Sequence, residues 1–411
     1  MDPNILKKIE HIAQHKDEEE EVRYYEKYSN VFEETYKILR KRKVLLYGGV
    51  AINELLPPKL QFYKTTALPD IDILTIDGEK LAKKIVKYFH KKGFNNITTS
   101  HSEALHPGTY KVYVDSLQIL DITDIPLNVY TRLHKNAVMS ERLKLNIVDP
   151  QFLRMTLHLI LAKGDATTVH RWGKVLERLT LFYKHFPPKP CKTISASTAS
   201  TATATATTAN RLTQFPEDLI TTIYSILGNT EYILFGVHEI ESILEKTPFS
   251  YTSISPIQIL CKETNLTHVV KSFINKIVAH NKDYTSYLKY SPIYKDDTLI
   301  SDHIFVYYKN TLLLSIYNAN VCYGYTVYNG LRIASIHTIV YMYLSMLLSP
   351  YKHFNNMSSL ECLVNALVIK QNSMRSSKKK LFQDVVSQCY GENIGLVTMR
   401  KNRLLRLASN K

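Results

Sequence analysis

The sequence has few cysteines and no long apolar run. Its five cysteines lie far apart and never form a CxxC pair, so neither a disulfide framework nor a zinc knuckle is predicted. The most apolar stretch, Ile339 to Leu348, is about half the ~20 residues that a membrane span needs. The N-terminus, MDPNILKKIEHIAQHK, lacks the apolar core of a signal peptide. These absences favour a soluble protein of a reducing, intracellular compartment.

The sequence has fewer acidic residues than basic ones. The chain has 52 Lys plus Arg against 37 Asp plus Glu, a net charge of +15. Such a charge suits a polyanionic partner, because phosphate neutralisation releases counterions, although a generally basic surface is also consistent with it. No GKS or GKT sequence is present, which argues against a P-loop ATPase or kinase. The length of 411 residues predicts two or three domains.

The first half of the chain alternates between strand and helix patterns. KVLLYGG predicts a short buried strand that ends in two glycines, and VAINELL predicts a helix stopped by Pro57 and Pro58. DIDILTI alternates as a second strand, and a helix is predicted over 78–92. TYKVYVDSLQILDIT predicts a hairpin that turns near Asp115 and Ser116. This part of the chain is therefore predicted to be mixed α/β.

The second half repeats the first. EYILFGVHEIESIL resembles KVLLYGGVAINELL, and LRIASIHTIVYMYLSMLLS resembles LKLNIVDPQFLRMTLHLIL, both at a separation of 188 residues. Two segments held at one separation predict an internal duplication. The overall prediction is an α/β (α+β) fold with a mixed sheet, duplicated, with helical segments between the copies.

The predicted organisation has six parts. An N-terminal helical segment, a catalytic domain and a helical segment packing on it come first; a Thr/Ala-rich linker, a degenerate second domain and a basic C-terminal segment follow. The linker is predicted because SASTASTATATATTAN has no apolar side chain larger than alanine and cannot offset the entropy of folding. The predicted bounds are 1–42, 43–147, 148–190, 191–212, 213–370 and 371–411.

Two carboxylates are predicted to lie side by side on one strand. Asp70 and Asp72 are two residues apart in DIDILTI, so both project from the same face. Carboxylates this close repel each other unless a cation lies between them. Their oxygen atoms favour Mg²⁺ or Mn²⁺. The spacing therefore predicts a divalent-metal site.

A third carboxylate is chosen by its place in the hairpin. Asp121 lies in the middle of QILDIT between apolar neighbours, where an unpaired acid is unfavourable. Asp115 is at the turn, roughly 20 Å away at ~3.3 Å per residue, and Asp124 faces the other way if the strand continues. Asp121 is therefore the predicted third ligand.

The glycine pair Gly48-Gly49 is predicted to bind phosphate. A strand-to-helix turn without side chains lets backbone N–H groups approach phosphate oxygens, although an ordinary tight turn has the same sequence. A strand, two glycines and a helix, then a strand with Asp-x-Asp, then a strand with a single Asp, is the signature of the polymerase-β-like nucleotidyltransferase superfamily.

Within that superfamily the sequence resembles the poly(A) polymerase catalytic subunits of African swine fever virus, the giant viruses and, more distantly, the poxviruses. The resemblance rests on LLYGGVAI, PDIDIL, VDSLQILDIT, NIVDPQFLRMTLHLIL and HRWGKVLERLTLFYKHFP, and it covers residues 40–188 well. Gly48-Gly49 matches this viral branch, where the wider superfamily usually has Gly-Ser. In the second copy, Pro256, Gln258 and Ser315 stand opposite Asp70, Asp72 and Asp121, which predicts a copy without catalytic residues.

The resemblance implies transfer of AMP from ATP to an RNA 3′-hydroxyl with two Mg²⁺ or Mn²⁺ ions. Asp70 and Asp72 would hold both ions, Asp121 one of them, and Gly48 and Gly49 would contact the triphosphate. Lys163, Arg171 and Lys174 are candidate phosphate clamps, or simply solvated helix charges. The resemblance also implies a homodimer or a processivity subunit as partner, no membrane association, and action in the host cytoplasm, in virus factories or the virion.

Other functions stay open at this stage. A terminal uridylyltransferase, a CCA-adding enzyme or a 2′–5′ oligoadenylate synthetase would use the same site. The empty second copy also allows a non-catalytic RNA-binding subunit, and the basic C-terminal clusters, Lys378–Lys380 and the arginines and lysine from Arg400 to Arg406, allow either an RNA-binding segment or a solvated tail.

Overall fold

The computed structural model of the protein describes residues 3–94, 97–102, 109–165, 168–190, 214–236, 257–295, 299–351, 357–375, 386 and 388–391. The chain divides into two compact units, Met1–Leu153 and Arg154–Lys411. The Thr/Ala-rich segment, Pro256 and the basic clusters of the C-terminal segment lie outside the described residues, so the predictions made for them are not tested.

The first unit contains one mixed sheet and the helices that cover it. Its elements, in chain order, are α1 (Pro3–Leu39), β1 (Val44–Tyr47), α2 (Gly48–Leu55), β2 (Ile71–Thr75), α3 (Gly78–Lys91), β3 (Ile97–Ser102), β4 (Thr109–Val114), β5 (Leu117–Asp124), α4 (Leu127–His134), β6 (Val138–Ser140) and β7 (Leu145–Ile147). α5 (Pro150–Ala162) begins in this unit.

The second unit contains a second mixed sheet. Its elements are α6 (Trp172–His185), α7 (Glu217–Gly228), β8 (Ile233–Leu234), β9 (Ile257–Cys261), α8 (Leu266–His280), β10 (Leu288–Tyr290), β11 (His303–Tyr308), β12 (Thr311–Asn318), β13 (Tyr323–Tyr328), β14 (Leu331–Ala334), α9 (Ile336–Leu348), α10 (Met357–Arg375) and β15 (Cys389–Tyr390). The predicted mixed α/β class is therefore confirmed.

The two sheets have the same topology. The first has the order β3-β4-β5-β2-β1-β7-β6, and the second has the order β10-β11-β12-β9-β8-β14-β13 with β15 added at its edge. In each sheet two neighbouring pairs are parallel, β2 with β5 and β1 with β7 in the first, β9 with β12 and β8 with β14 in the second. The remaining pairs are antiparallel. The predicted duplication is confirmed by this shared strand order.

The agreement extends to irregularities. The β4–β5 register shifts between Val112 and Tyr113, and the β11–β12 register shifts between Val306 and Tyr307, the same place relative to the turn. Both turns place two residues at positive φ, Asp115 and Ser116 in the first hairpin and Lys309 and Asn310 in the second. A bulge and a type I′-like turn at matching positions indicate copies of one hairpin rather than two similar folds.

The C-terminal part of α1 packs against the rest of the first unit, and the residues just before it, Glu19 to Lys27, are exposed. The buried positions recur every three or four residues, as an amphipathic helix requires: Tyr28, Val31, Phe32, Thr35, Tyr36 and Leu39. In the second unit α7 buries Leu219, Thr222, Ile223 and Leu227 in a comparable pattern. α9 is buried at every position from Ile336 to Leu348, which explains why this run is the most apolar of the chain. Among the described residues, no helix combines the length and apolar character that crossing a bilayer requires.

The interpretation of the cysteines was wrong in one respect. Cys322 and Cys389, which are 67 positions apart in the sequence, form a disulfide, and Cys261 is buried. The disulfide lies beside the pairing of β13 with β15, where Tyr323 is the partner of Tyr390. Scattered positions in the sequence concealed this pair, because only tertiary structure brings the two strands together.

The first hairpin yields a stability prediction. Ser116 has φ +69, a left-handed conformation that is unfavourable for residues with a Cβ, and type I′ turns favour glycine there. We expect Ser116→Gly to raise the free energy of unfolding by about 0.5–1 kcal/mol in urea denaturation followed by circular dichroism. Ser29→Gly, the same change inside α1, should lower it by about 0.5 kcal/mol. Equal effects of both substitutions would contradict the strained turn.

Candidate active site

Three carboxylates converge at the centre of the first sheet. β2 and β5 are neighbouring parallel strands in a register that sets Asp72 opposite Asp121, and Asp70 immediately precedes β2. One ligand oxygen from each of the three side chains lies within 4.8 Å of the others. Among the described residues, this is the one group of three or more His, Cys, Asp or Glu side chains that could hold an ion together. The structure thus brings together the three residues selected from strand alternation.

The burial of this group makes a cation favourable. Asp121 is only 7% exposed, while Asp70 and Asp72 are half-buried and face an open side. Three carboxylates at this spacing repel one another in a partly desolvated environment. An all-oxygen donor set of this kind fits a hard divalent ion such as Mg²⁺ or Mn²⁺. The residues present therefore fit the metal that the sequence predicted.

Two further side chains belong to the cluster and were missed by the sequence analysis. Lys111 on β4 forms an ion pair with Asp121 (Nζ to Oδ2, 2.9 Å). The Gln118 amide lies 2.9 Å from both Asp70 Oδ2 and Asp121 Oδ1, and its carbonyl accepts a hydrogen bond from Lys111 (3.0 Å). Lys111 and Gln118 therefore balance part of the carboxylate charge and hold Asp70 and Asp121 in one orientation.

The hairpin bulge explains why these residues were missed. The turn pairs Val114 with Leu117 and Tyr113 with Gln118, and a continuous register would set Lys111 opposite Leu120. The register shift after Val112 sets Lys111 opposite Asp121 instead. Strand alternation also predicts that Gln118 and Asp121, three residues apart, face opposite sides, and a bulge changes the local twist. A lysine near the middle of TYKVYV was the available signal.

The first glycine of the pair lies against the carboxylates. Gly48 begins α2 with φ +70, and a Cβ at this position would be 2.0 Å from Asp72 Oδ2. Only glycine can therefore occupy this turn while Asp72 keeps its place. Gly49 follows in α2 and is buried. The arrangement leaves backbone N–H groups at the start of the helix near the carboxylates, as phosphate binding would require.

Tyr47 lies beside the same carboxylates at the end of β1. The residue is half-buried, and its hydroxyl is within 3.0 Å of Thr123 Oγ1, which is also 3.0 Å from Thr109 Oγ1. Burial, and secondarily the negative charges of Asp72, Asp121 and Asp70, raise the pKa of Tyr47. The phenol therefore stays protonated, and it is a neutral neighbour of the three acids.

The two carboxylates excluded from the metal site have other contacts. Asp124 accepts a hydrogen bond from the Gly78 backbone N–H (3.0 Å) at the beginning of α3, where a negative charge is favourable. Asp115 lies at the turn, 3.9 Å from Lys27 Nζ. Neither joins the group of three, as strand position predicted.

The predicted phosphate clamps all lie in the second unit. Lys163 is 3.6 Å from Asp165 Oδ2, and Arg171 and Lys174 are exposed at the beginning of α6. Their role as clamps stays a prediction. Trp172, between them, donates a hydrogen bond from Nε1 to the Ile160 carbonyl (3.0 Å), which ties α6 to α5.

The equivalent place in the second sheet is filled by side chains. The β9–β12 register sets Gln258 opposite Ser315, as β2–β5 sets Asp72 opposite Asp121. Gln258 and Ser315 are each 1% exposed, and the Tyr343 hydroxyl donates a hydrogen bond to Gln258 Oε1. Around them, aromatic rings pack at centroid distances of 5.3 to 6.3 Å: Phe235, His303, Tyr317 and Tyr343. The second copy therefore lacks the acids at Gln258 and Ser315, as predicted, and the structure adds that this place is closed.

Comparisons with known proteins agree with this geometry. Residues 33–164, about a third of the chain, match the family model described as "Poly(A) polymerase catalytic subunit". Seven chains of solved structures are similar, among them the Megavirus polyadenylate synthase, with a TM-score of 0.75 and 14% sequence identity over 100% of this chain and 84% of that chain. At this identity the likeness establishes the fold. No curated protein sequence matches the chain.

The fold, the family match and the converging carboxylates define a nucleotidyltransferase. Within that class, residues 33–164 match the model of poly(A) polymerase catalytic subunits, and the matched residues include Gly48, Asp70, Asp72 and Asp121. The resemblance noted in the sequence is thereby confirmed.

Gly48 provides a steric test of the site. Gly48→Ala would displace Asp72, since its Cβ would overlap the carboxylate, so we expect nucleotidyl transfer to fall by about 100-fold or more and Mn²⁺ binding to weaken. Gly93→Ala is a matched control, because Gly93 also has positive φ (+87) but no atom lies within 4 Å of its Cβ position. Transfer rates and calorimetric Mn²⁺ titrations check both. Equal losses in the two variants would show that backbone strain, not the Asp72 contact, is responsible.

The closed second copy provides a stability test. Ser315→Asp would place an uncompensated carboxylate at a site that is 1% exposed, and we expect it to destabilise the second unit by about 3–5 kcal/mol. Asp72→Ser, at the equivalent pair in the first unit, removes a repelling charge and should change the unfolding free energy by less than about 1 kcal/mol. Urea unfolding of each variant measures this difference. A Ser315→Asp protein as stable as the wild type would mean that the second copy is open.

Proposed function

We propose that the protein is a metal-dependent, template-independent poly(A) polymerase that transfers AMP from ATP to the 3′-hydroxyl of mRNA. The 3′-oxygen forms a bond to the α-phosphorus of ATP, the bond from that phosphorus to the bridging oxygen breaks, and pyrophosphate leaves. The observation that carries the proposal is the convergence of Asp70, Asp72 and Asp121 on two parallel strands beside a Gly-Gly turn. The family match supports the choice of AMP and RNA.

Each residue has a distinct part in this proposal. Asp70 and Asp72 would hold two Mg²⁺ or Mn²⁺ ions and Asp121 one of them; the ions would supply a lowered pKa of the attacking hydroxyl and charge neutralisation of the triphosphate. Gly48 and Gly49 would offer backbone N–H groups to phosphate oxygens. Gln118 keeps Asp70 and Asp121 oriented, and Lys111 lowers the repulsion among the acids before substrate binds.

The decisive experiment removes the carboxylates. We expect Asp70→Ala combined with Asp72→Ala to reduce AMP addition to an RNA primer by at least ~10³-fold while circular dichroism stays unchanged, because both side chains are half-buried at an open face. Asp77→Ala is the matched control, since Asp77 is 61% exposed and its side chain does not cap α3. Unchanged tailing in the double variant would favour a non-catalytic RNA-binding subunit.

Nucleotide choice separates the enzyme classes. Incubation with Mn²⁺, a short RNA and each nucleoside triphosphate in turn should give extension mainly with ATP. Preference for UMP or CMP would favour a terminal uridylyltransferase or a CCA-adding enzyme, and 2′–5′ linkages in the product would favour an oligoadenylate synthetase. Homodimerisation or a processivity subunit remains a proposal that sedimentation analysis tests, and action in the host cytoplasm is proposed on the viral family alone.

A further inference from the structure

α3 carries an unusual concentration of lysine. Six lysines fall between Lys80 and Lys92, and no acidic residue occurs from Lys80 to Ser102. The apolar face of the helix (Leu81, Ala82, Ile85, Phe89) is buried, so the lysines occupy the outer face. Like charges four residues apart destabilise a helix, and Lys83, Lys87 and Lys91 form such a row. Helix stability therefore does not explain the row.

Three of the six lysines line a groove at the edge of the first sheet. Its walls are the exposed side of α3 and the edge strand β3, and its volume is about 500 Å³. We call it the lysine groove; it is lined by Lys83, Val86, Lys87, His90, Lys91 and Thr99. Lys83 is paired with Glu79 (2.6 Å), but no ion pair within the described part of the chain involves Lys87 or Lys91. The groove thus has a net positive charge without an internal counter-charge for two of its lysines.

The second copy acts as an internal comparison. α8 is the counterpart of α3 at the separation of 188 residues, which aligns Lys83 with Lys271, and it covers the counterpart strands β11 and β12. α8 has only two lysines, Lys271 and Lys276, and no row at four-residue spacing. The same scaffold folds without the lysine row, so the row is a property of the copy that has the carboxylates.

The groove is near the catalytic carboxylates. Thr99 on β3 is paired with Val112 of β4, and the adjacent Lys111 contacts Asp121 on β5. β3 is two strands from β5, which is about 10 Å at the usual strand spacing. Strand alternation puts Val112 and Lys111 on opposite faces, so a ligand would pass around the β3 edge. A few nucleotides of single-stranded RNA are long enough to do so.

We propose that the lysine groove binds the phosphodiester backbone of single-stranded RNA upstream of the 3′ end that is being extended. Successive lysines of the row rise about 6 Å along the helix, so neighbouring phosphates of an extended strand can each meet one ammonium group. Three of the six lining residues are lysines and His90 carries the single ring, so the main contact is to the phosphate backbone and depends little on base sequence. This inference rests on the proposed function, because it assumes that RNA is the acceptor.

The test measures the salt dependence of RNA binding. Lys87→Gln combined with Lys91→Gln is compared with Lys271→Gln combined with Lys276→Gln, all four lysines being exposed. Affinity for a fluorescent oligoadenylate of about 20 nucleotides is measured by anisotropy in EDTA without ATP, over a range of salt concentrations. Each lost phosphate contact should lower the slope of log affinity against log salt by about 0.7, so we expect a decrease of about 1.4 for the groove variant and none for the control.

Kinetics on two primers separate the groove from the active site. With the long RNA, the groove variant should show a raised KM and unchanged kcat. With a dinucleotide primer, whose single phosphodiester is too short to reach the groove, both constants should match the wild type. An unchanged salt slope, or equal slopes in both double variants, overturns the proposal. A wild type that binds RNA with the expected slope but adds no AMP overturns the proposed function and leaves the groove intact. Circular dichroism confirms that the helix remains folded.

Discussion

The parallel pairing of β2 with β5 is the constraint on which the site depends. It sets Asp72 opposite Asp121, and Asp70 two residues earlier completes a group within 4.8 Å. The neighbouring strands on both sides complete the site. Gly48, directly after β1, lies against Asp72, and Lys111 on β4 forms an ion pair with Asp121. A register shift of a single residue would turn the carboxylates to the opposite face and separate them from both neighbours.

The second sheet has the same strand pairing without the acids, so the pairing forms independently of the catalytic residues. β9 and β12 pair in the same register in the second copy, yet Gln258 and Ser315 are sealed beneath aromatic rings. The buried Gln258 amide accepts a hydrogen bond from Tyr343, and the Ser315 hydroxyl carries no charge, whereas a group of acids needs a cation. The first copy therefore retains a charged centre, and the second has packed side chains in its place.

The site residues that the sequence selected lie in or directly beside regular secondary structure. Alternation in DIDILTI and QILDIT selected Asp70, Asp72 and Asp121, and the strand-Gly-Gly-helix pattern selected Gly48, because each depends only on local backbone geometry. Lys111 and Gln118 could not be selected, since a bulge shifts the hairpin register that brings them to the carboxylates. The pairing of Cys322 with Cys389 was concealed for a related reason: it depends on β13 and β15 being neighbours.

The sequence by itself determined the class of fold, the duplication, and the three acids with their glycine turn. These follow from periods of two and 3.6 residues and from residue chemistry, which are local properties of the chain. Only the tertiary structure decided which residues neutralise the acids, that the second copy is closed, and that the lysines of α3 line a groove beside β3. Each of these depends on contacts between strands or helices far apart in the chain, where one shifted register or one aromatic ring changes the result.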